Sequence, residues 1–196
     1  MKKIGFTFAL LFLLAACSSD EPPRAKLQAP PSTTINLDVL TVTVVDRSTP
    51  ALADSPMAKY NFQPTIASSL HQWLQGHLKA AGTSGSAEVV ITDASLGSQA
   101  LPHKNDMFTR EQASKYTAHA SVDIVIHGHE GSGQVSAEAS RFETLPEKPT
   151  AIERQNAYTH VLNGLMHDLG INLDTAIRQH IGDFIITAPI LNDQGH

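Results

Sequence analysis

Hydrophobic and polar residues alternate along four short stretches of the chain, as they do in β-strands with one buried face. The first stretch starts at Asn36, where Leu40, Val42 and Val44 alternate with threonines. The second, 87–96, is rich in β-branched residues. The third, 116–129, is the clearest, with Ala118, Ala120, Val122, Ile124 and Ile126 on one face and Thr117, His119, Ser121, Asp123 and His127 on the other. The fourth, 134–142, follows the turn EGSG and is predicted to form a hairpin with the third.

Apolar residues at helical spacing predict two longer helices. The first has a buried stripe centred on Trp73, and Pro64 and Gly82 mark its two ends (Ile66, Leu70, Trp73, Leu74, Ala81). The second begins at a capping box at 150–153 and ends at Gly170. A short final helix is predicted from about Leu173, with apolar residues Ile177, Ile181 and Phe184.

The order β-α-β-β-β-α, with a last short helix, predicts an α+β fold. We expect a two-layer sandwich, in which a roughly four-stranded sheet is covered on one face by two helices. We expect residues 36–186 to form this single domain and residues 187–196 to be a loose C-terminal tail. The exposed edges of such a sheet would permit pairing into a homodimer.

The first residues have the pattern of a secretory signal peptide. Lys2 and Lys3 precede an apolar run, 4–14, which is too short for a transmembrane helix of about 20 residues. The sequence LAAC at 14–17 resembles a bacterial lipobox, and Cys17 is the only cysteine of the chain. An ordinary signal peptide with a chance cysteine is the alternative. The resemblance implies that residues 1–16 are removed and that the sulfur of Cys17 receives a diacylglycerol.

Residues 17–35 contain four prolines and no apolar periodicity, and they are predicted to be a lipidated, semi-rigid tether. In the lipoprotein pattern, the serine at position 18 favours the outer membrane, so we expect an anchor there with the domain facing the periplasm. Cleavage would remove two of the 14 basic residues and leave 12 against 19 acidic ones. Nucleic acid is therefore excluded as a partner, because it requires clustered positive charge.

Ten histidines raise the question of a metal site. His119 and His127 are eight residues apart on one strand, roughly 26 Å, and cannot bind one ion. His127 and His129, with His103 from a loop, could form part of a site. We expect His71, His160 and His167 at the surface and His77 in a partly buried, hydrogen-bonded position. No HExxH motif, nucleophile elbow or phosphate-binding loop occurs, so no enzyme activity and no cofactor are predicted. A Ser–His–Asp site assembled from distant segments stays open, because geometry defines such sites.

The hairpin and the helix after it, YTAHASVDIVIHGHEGSGQVSAEASRF and AIERQNAYTHVLNGLMHDLGINLDTAIRQHI, resemble periplasmic lipoproteins of the YajG kind. The whole order of elements, about residues 36–185, is more loosely similar to the lipopolysaccharide-assembly lipoprotein LptE and to auxiliary lipoproteins of ABC-type lipid transporters. This resemblance implies a lipid-anchored accessory protein without catalysis. Such a protein would bind an envelope protein or lipid, in outer-membrane assembly or in transport of lipid or lipopolysaccharide. The alternative is a small periplasmic metal-binding protein or hydrolase that uses the region of His103, His127 and His129.

Overall fold

The computed structural model describes residues 23–28, 30, 33–102, 112–129 and 131–186. Cys17, His103 and the predicted tail at 187–196 lie outside these ranges. The described elements are, in chain order, β1 (Ile35–Leu37), β2 (Thr41–Asp46), α1 (Pro56–Tyr60), α2 (Ile66–His77), β3 (Leu78–Ala80), β4 (Ser86–Ala100), β5 (Gln112–His127), β6 (Ser132–Pro146) and α3 (Ala151–His180), followed by a short 3-10 turn, Gly182–Phe184.

Four strands form the main sheet in the order β2-β4-β5-β6. The β2–β4 pair is parallel, and the β4–β5 and β5–β6 pairs are antiparallel. The predicted hairpin of the third and fourth strands is therefore confirmed. A register shift between Ile91 and Asp93 places Thr92 in a bulge, which changes the strand face on which the following residues of β4 lie.

The core lies on one side of this sheet, beneath the helices. Helix α2 packs on β2 and β4, and α3 packs on β5 and β6. The predicted inward face of β5 is confirmed, since its members are all buried (Ala118, Ala120, Val122, Ile124, Ile126). Alanines at four central positions of β5 and β6 leave room for the helix above them (Ala118, Ala120, Ala137, Ala139). The expected α+β class, with helices covering one face of a four-stranded sheet, is confirmed.

The first predicted strand is divided in two. After β1 the chain bends at 38–40, where Val39 is fully buried and Leu40 is 60% exposed, and it continues as β2. Strand β1 pairs in parallel with β3, and together they form a second, two-stranded sheet. The alternation of Leu40 with Val42 therefore did not mark a continuous strand, because the two parts bond to different partners.

Helix α2 ends at His77 rather than near Ala81. Residues 78–80 form β3 because their backbone groups hydrogen-bond with β1, a distant segment that satisfies them as well as a further helical turn would. The buried stripe consists of Ile66, Leu70, Leu74 and His77, while Trp73 is only partly buried at its margin. The prediction of a stripe centred on Trp73 was therefore wrong, because Trp73 lies at the edge of the buried face and not at its centre.

Helix α3 is continuous from Ala151 to His180 and does not end at Gly170. The capping box is present, with the backbone N–H of Glu153 donating to Thr150 Oγ1 at 3.2 Å and that of Thr150 donating to Glu153 Oε2 at 2.7 Å. Burial continues across the glycine through Leu169, Leu173 and Ile177, which outweighs the ~1 kcal/mol that glycine costs in a helix. The predicted separate final helix is thus the last part of α3.

Candidate functional site

The face of the main sheet that none of the described helices covers is polar and carries acidic groups on several strands. Its carboxylates include Asp93 in β4, Asp123 in β5 and Glu138 in β6, and an exposed His119 lies on the same face. Glu88 of β4 is on this face as well and forms an ion pair with Arg47 at 2.6 Å. Phe142 is an exception, since its ring is 64% exposed and Lys115 Nζ lies 5.5 Å from the ring centroid. This face can therefore bind a partner with basic groups through charge, while it repels anionic ones.

A groove of about 560 Å³ lies where segment 49–57 passes beside the second half of β4. Its walls are largely apolar, with Pro50, Leu52 and Met57 on one side and Leu96 on the other. Leu52 is 70% exposed at its mouth. This volume is in the range of ligand-binding clefts, which run from about 300 to 1,000 Å³.

The groove adjoins a second, shallow depression of about 390 Å³. This depression is lined by strand residues such as Ser121 and Glu138 and by Asp168 and Asn172 of α3, and it shares two of its residues, Asp93 and His119, with the apolar groove. The bulge in β4 determines this junction, because it shifts the register just before Asp93. The arrangement can bind an apolar group in the groove and a basic or hydroxyl group beside Asp93 and Glu138. We take it as the candidate binding site.

The histidines that suggested a metal site are not brought together in the described part of the chain. His127 ends β5 and His129 follows it, and both are exposed at the hairpin. No group of three or more histidine, cysteine, aspartate or glutamate side chains that could hold an ion occurs among the described residues. His103 and Cys17 lie outside those residues, so their predicted roles stay predictions. The metal-binding alternative gains no support.

His77 is fully buried, where the sequence predicted partial burial, and its hydrogen-bond partner is a residue that the sequence did not indicate. Its Nε2 lies 2.6 Å from Asp174 Oδ1 on α3, and its ring stacks on Trp73 with centroids 4.7 Å apart. The side chain is 1% exposed, and Nδ1 has no hydrogen-bond partner in the described structure. A His–Asp pair of this kind could activate a nucleophile only if Nδ1 or Nε2 reached a hydroxyl. The pair instead joins α2 to α3.

An aromatic cluster supports the base of helix α1 and the start of α3. The rings of Phe62 and Tyr158 stack with centroids 4.6 Å apart, and the Tyr158 hydroxyl donates to the Pro64 carbonyl oxygen at 2.6 Å. Burial raises the pKa of the Tyr158 hydroxyl. Burial, with a smaller contribution from neighbouring Tyr60, raises the pKa of Tyr116 from 10.0 to about 12. Both hydroxyls therefore favour the protonated form, and the Tyr158 hydroxyl joins α3 to the segment before α2.

One ion pair lies on the helix side of the edge strand β6. The Arg141 guanidinium donates to Asp168 on α3 through Nε and through Nη2, the latter at 2.8 Å. The hydrogen bond to Asp168, together with its negative charge, raises the pKa of Arg141. Nearby, Asn172 Nδ2 donates to the Glu138 carbonyl oxygen at 2.8 Å, so α3 covers part of this edge. Pairing of a second copy on β6 would have to displace these contacts.

No helix in the described ranges has the length and apolar character needed to cross a membrane.

Comparison with known proteins yields only distant structural similarity. No family model and no curated protein matches the sequence. Among solved structures, a neuraminyllactose-binding hemagglutinin homolog from Helicobacter pylori is 8% identical, with a TM-score of 0.40 over 84% of this chain and 94% of its own. The rare lipoprotein B from Shewanella oneidensis is 8% identical, with a TM-score of 0.38 over 71% of this chain and 94% of its own. A minor lipoprotein from Acinetobacter baumannii is 12% identical, with a TM-score of 0.38 over 78% and 98%.

Two of these three structures are bacterial lipoproteins. At such scores the similarity carries no conclusion about function, and the resemblance to the YajG kind stays a prediction.

Proposed function

We propose that this chain is a lipid-anchored accessory protein of the bacterial envelope that binds another envelope protein and performs no catalysis. The observation that carries the proposal is the sequence LAAC at 14–17, directly after a short apolar run, because it contains the only cysteine of the chain. Acylation of Cys17 would bind the mature protein to a bilayer, since each buried methylene contributes about 0.8 kcal/mol and two or more chains hold stably. The serine at position 18 supports the outer membrane, with the domain in the periplasm.

The groove and the acidic sheet face together support a protein partner. The groove of about 560 Å³ accepts an apolar side chain or short apolar segment, and Asp93 and Glu138 beside it favour a lysine or arginine. An anionic lipid headgroup would meet these carboxylates and be repelled. Within the class of envelope partners, the geometry therefore favours a protein over lipopolysaccharide or another anionic lipid.

Cell fractionation tests the anchor. The wild-type chain should sediment with outer membranes, and Cys17→Ser should appear in the soluble or uncleaved fraction. Ser19→Ala, two residues away, is the matched control and should sediment like the wild type. If Cys17→Ser sediments with outer membranes as the wild type does, the anchoring part of the proposal is wrong.

Photo-crosslinking tests the binding surface. A photoreactive amino acid at Leu52, at the mouth of the groove, or at Ser121, on the sheet face, should give the same crosslinked envelope protein in cells. The same amino acid at Gln179, an exposed position on α3, should not capture it. Asp93→Lys should abolish capture from Ser121 because it reverses the charge at the junction. Equal capture from all three positions would show that the groove and sheet face are not the binding site.

A further inference from the structure

Two asparagines of α3 hold the N-terminal segment by its backbone. Asn156 Oδ1 accepts a hydrogen bond from the Ala25 N–H at 2.7 Å, and its Nδ2 donates to the Pro23 carbonyl oxygen at 2.8 Å. Asn163 repeats the arrangement, accepting from the Gln28 N–H at 2.9 Å and donating to the Lys26 carbonyl oxygen at 2.9 Å. Each side-chain amide thus pairs with the segment in the way that a neighbouring peptide unit would.

The spacing of the two asparagines fits an extended, proline-type backbone. They are separated by seven helical positions, a rise of about 10 Å. The two contacts on the segment are separated by three residues, a rise of about 9 Å in a polyproline II helix. Because the two repeats agree to within about 1 Å, both amides can engage one straight segment. None of the four bonds involves a side chain of the segment, so the recognition is of backbone conformation.

The surface next to these four hydrogen bonds lies against the apolar side chains of the segment. Leu27 and Pro30 line a cavity of about 270 Å³ between α2 and α3, together with Trp73, Leu162 and Met166. A second depression, of about 410 Å³, lies on the other side of Asn163 and is lined by His160 and His167. Leu27 is still 51% exposed, so the segment lies on the surface and can be released without opening the core.

We infer that the α2–α3 surface with Asn156 and Asn163 is a binding site for extended, proline-containing peptide backbone, and that its occupant is the described N-terminal segment of this chain, residues 23–28 with Pro30. This part of the inference is independent of the lipid. Its consequence for the membrane rests on the proposed function. With the segment bound, Cys17 and Pro23 are six positions apart, and the chain from one to the other spans at most about 20 Å. With the segment released, Cys17 and Ile35 are eighteen positions apart, and the chain from one to the other spans at most about 60 Å.

The site therefore works as a clasp that sets the distance between domain and membrane. When the clasp is closed, the first half of α3 is held towards the bilayer. The domain, with the groove beside β4, then stays close to the membrane surface. When open, it gives the domain up to about three times the reach. The domain cannot have its long reach while the N-terminal segment is bound to Asn156 and Asn163.

Hydrogen exchange measures the clasp without the lipid. In the full mature chain carrying Cys17→Ser, the amides of Ala25 and Gln28 should exchange at least tenfold more slowly than in the same chain with Asn156→Leu and Asn163→Leu. Asn172→Leu, the same change elsewhere on α3, should leave both rates as in the parent. Equal rates in the parent and the double variant would overturn the clasp. Circular dichroism of each variant confirms that the domain is folded.

Energy transfer measures the reach in the lipidated protein. A donor dye at Ser136→Cys, exposed on β6, and an acceptor lipid in phosphatidylethanolamine–phosphatidylglycerol vesicles report the distance to the bilayer. Ala25→Pro with Gln28→Pro keeps an extended backbone but removes both N–H donors, so transfer should fall markedly. Unchanged transfer would overturn the role in setting distance. A chain that carries no lipid and fails to bind vesicles would instead refute the proposed function, and hydrogen exchange would still decide whether the clasp exists.

Discussion

The buried pair of His77 and Asp174 gives the sharpest stability prediction. Asp174→Ala removes the acceptor for His77 Nε2 and leaves an imidazole that is 1% exposed with neither ring nitrogen hydrogen-bonded. A hydrogen bond to a charged group contributes about 1.5–3 kcal/mol, and a buried donor left without a partner costs about the same. Both values describe the loss of the same hydrogen bond, so the expected cost is one of them and not their sum.

The magnitude follows from two corrections. The Asp174 side chain is 23% exposed, which places the cost in the lower part of that range, and alanine gains a few tenths of a kcal/mol in helix propensity over aspartate. We therefore expect the free energy of unfolding to fall by about 2 kcal/mol. For a chain of this size the melting temperature should fall by about 4–8 °C.

Urea denaturation followed by circular dichroism measures this change. Gln179→Ala, on an exposed position of the same helix, is the control and should stay within about 0.5 kcal/mol of the wild type. Asp174→Asn keeps an acceptor oxygen and should cost less than half as much as the alanine variant. If Asp174→Ala is as stable as Gln179→Ala, the pair does not join α2 to α3 in solution.

Two further predictions concern the core. Gly133→Val should destabilise the protein by about 1–3 kcal/mol, since a Cβ there would lie 2.8 Å from Ile181. Gly97→Val on β4, where a Cβ has only an ordinary contact at 3.8 Å, is the control and should stay within about 1 kcal/mol in urea denaturation. Equal effects of the two variants would contradict the packing at the hairpin. The folded-state pKa of Tyr116 is raised, so the folded state favours the protonated hydroxyl and stability should fall as the pH rises from 10 towards 12. Denaturation at pH 9 and 11 should show a smaller fall for Tyr116→Phe, and an identical fall would argue against burial of this hydroxyl.

The sequence pattern predicted an element correctly where the same side of that element is buried along its whole length. The alternation in β5 placed the five residues from Ala118 to Ile126 correctly because that face of the strand packs on helices, whereas the buried Tyr116 was not predicted. The capping box at Thr150 is likewise a local bonding pattern, and it is present as predicted. These features depend on neighbours within a few residues, which the sequence displays directly.

Features that depend on distant partners were not predictable from pattern. Residues 78–80 became β3 because β1, more than forty positions earlier, supplies their hydrogen bonds. Asp174 lies 97 positions from His77, and Asn156 lies 131 positions from Ala25, so neither contact leaves a periodic signal. The groove beside β4 is equally non-local, since its two walls meet only in the folded chain. The tether was predicted from composition, which gives no information on where the segment binds.

The central claim is that this domain is held to a membrane through the sulfur of its single cysteine. Mass spectrometry of the N-terminal peptide from protein made in a Gram-negative host tests it most directly. We predict a peptide that begins at Cys17 and carries a thioether-linked diacylglycerol. A peptide that begins elsewhere, or an unmodified cysteine in the mature chain, would contradict the claim.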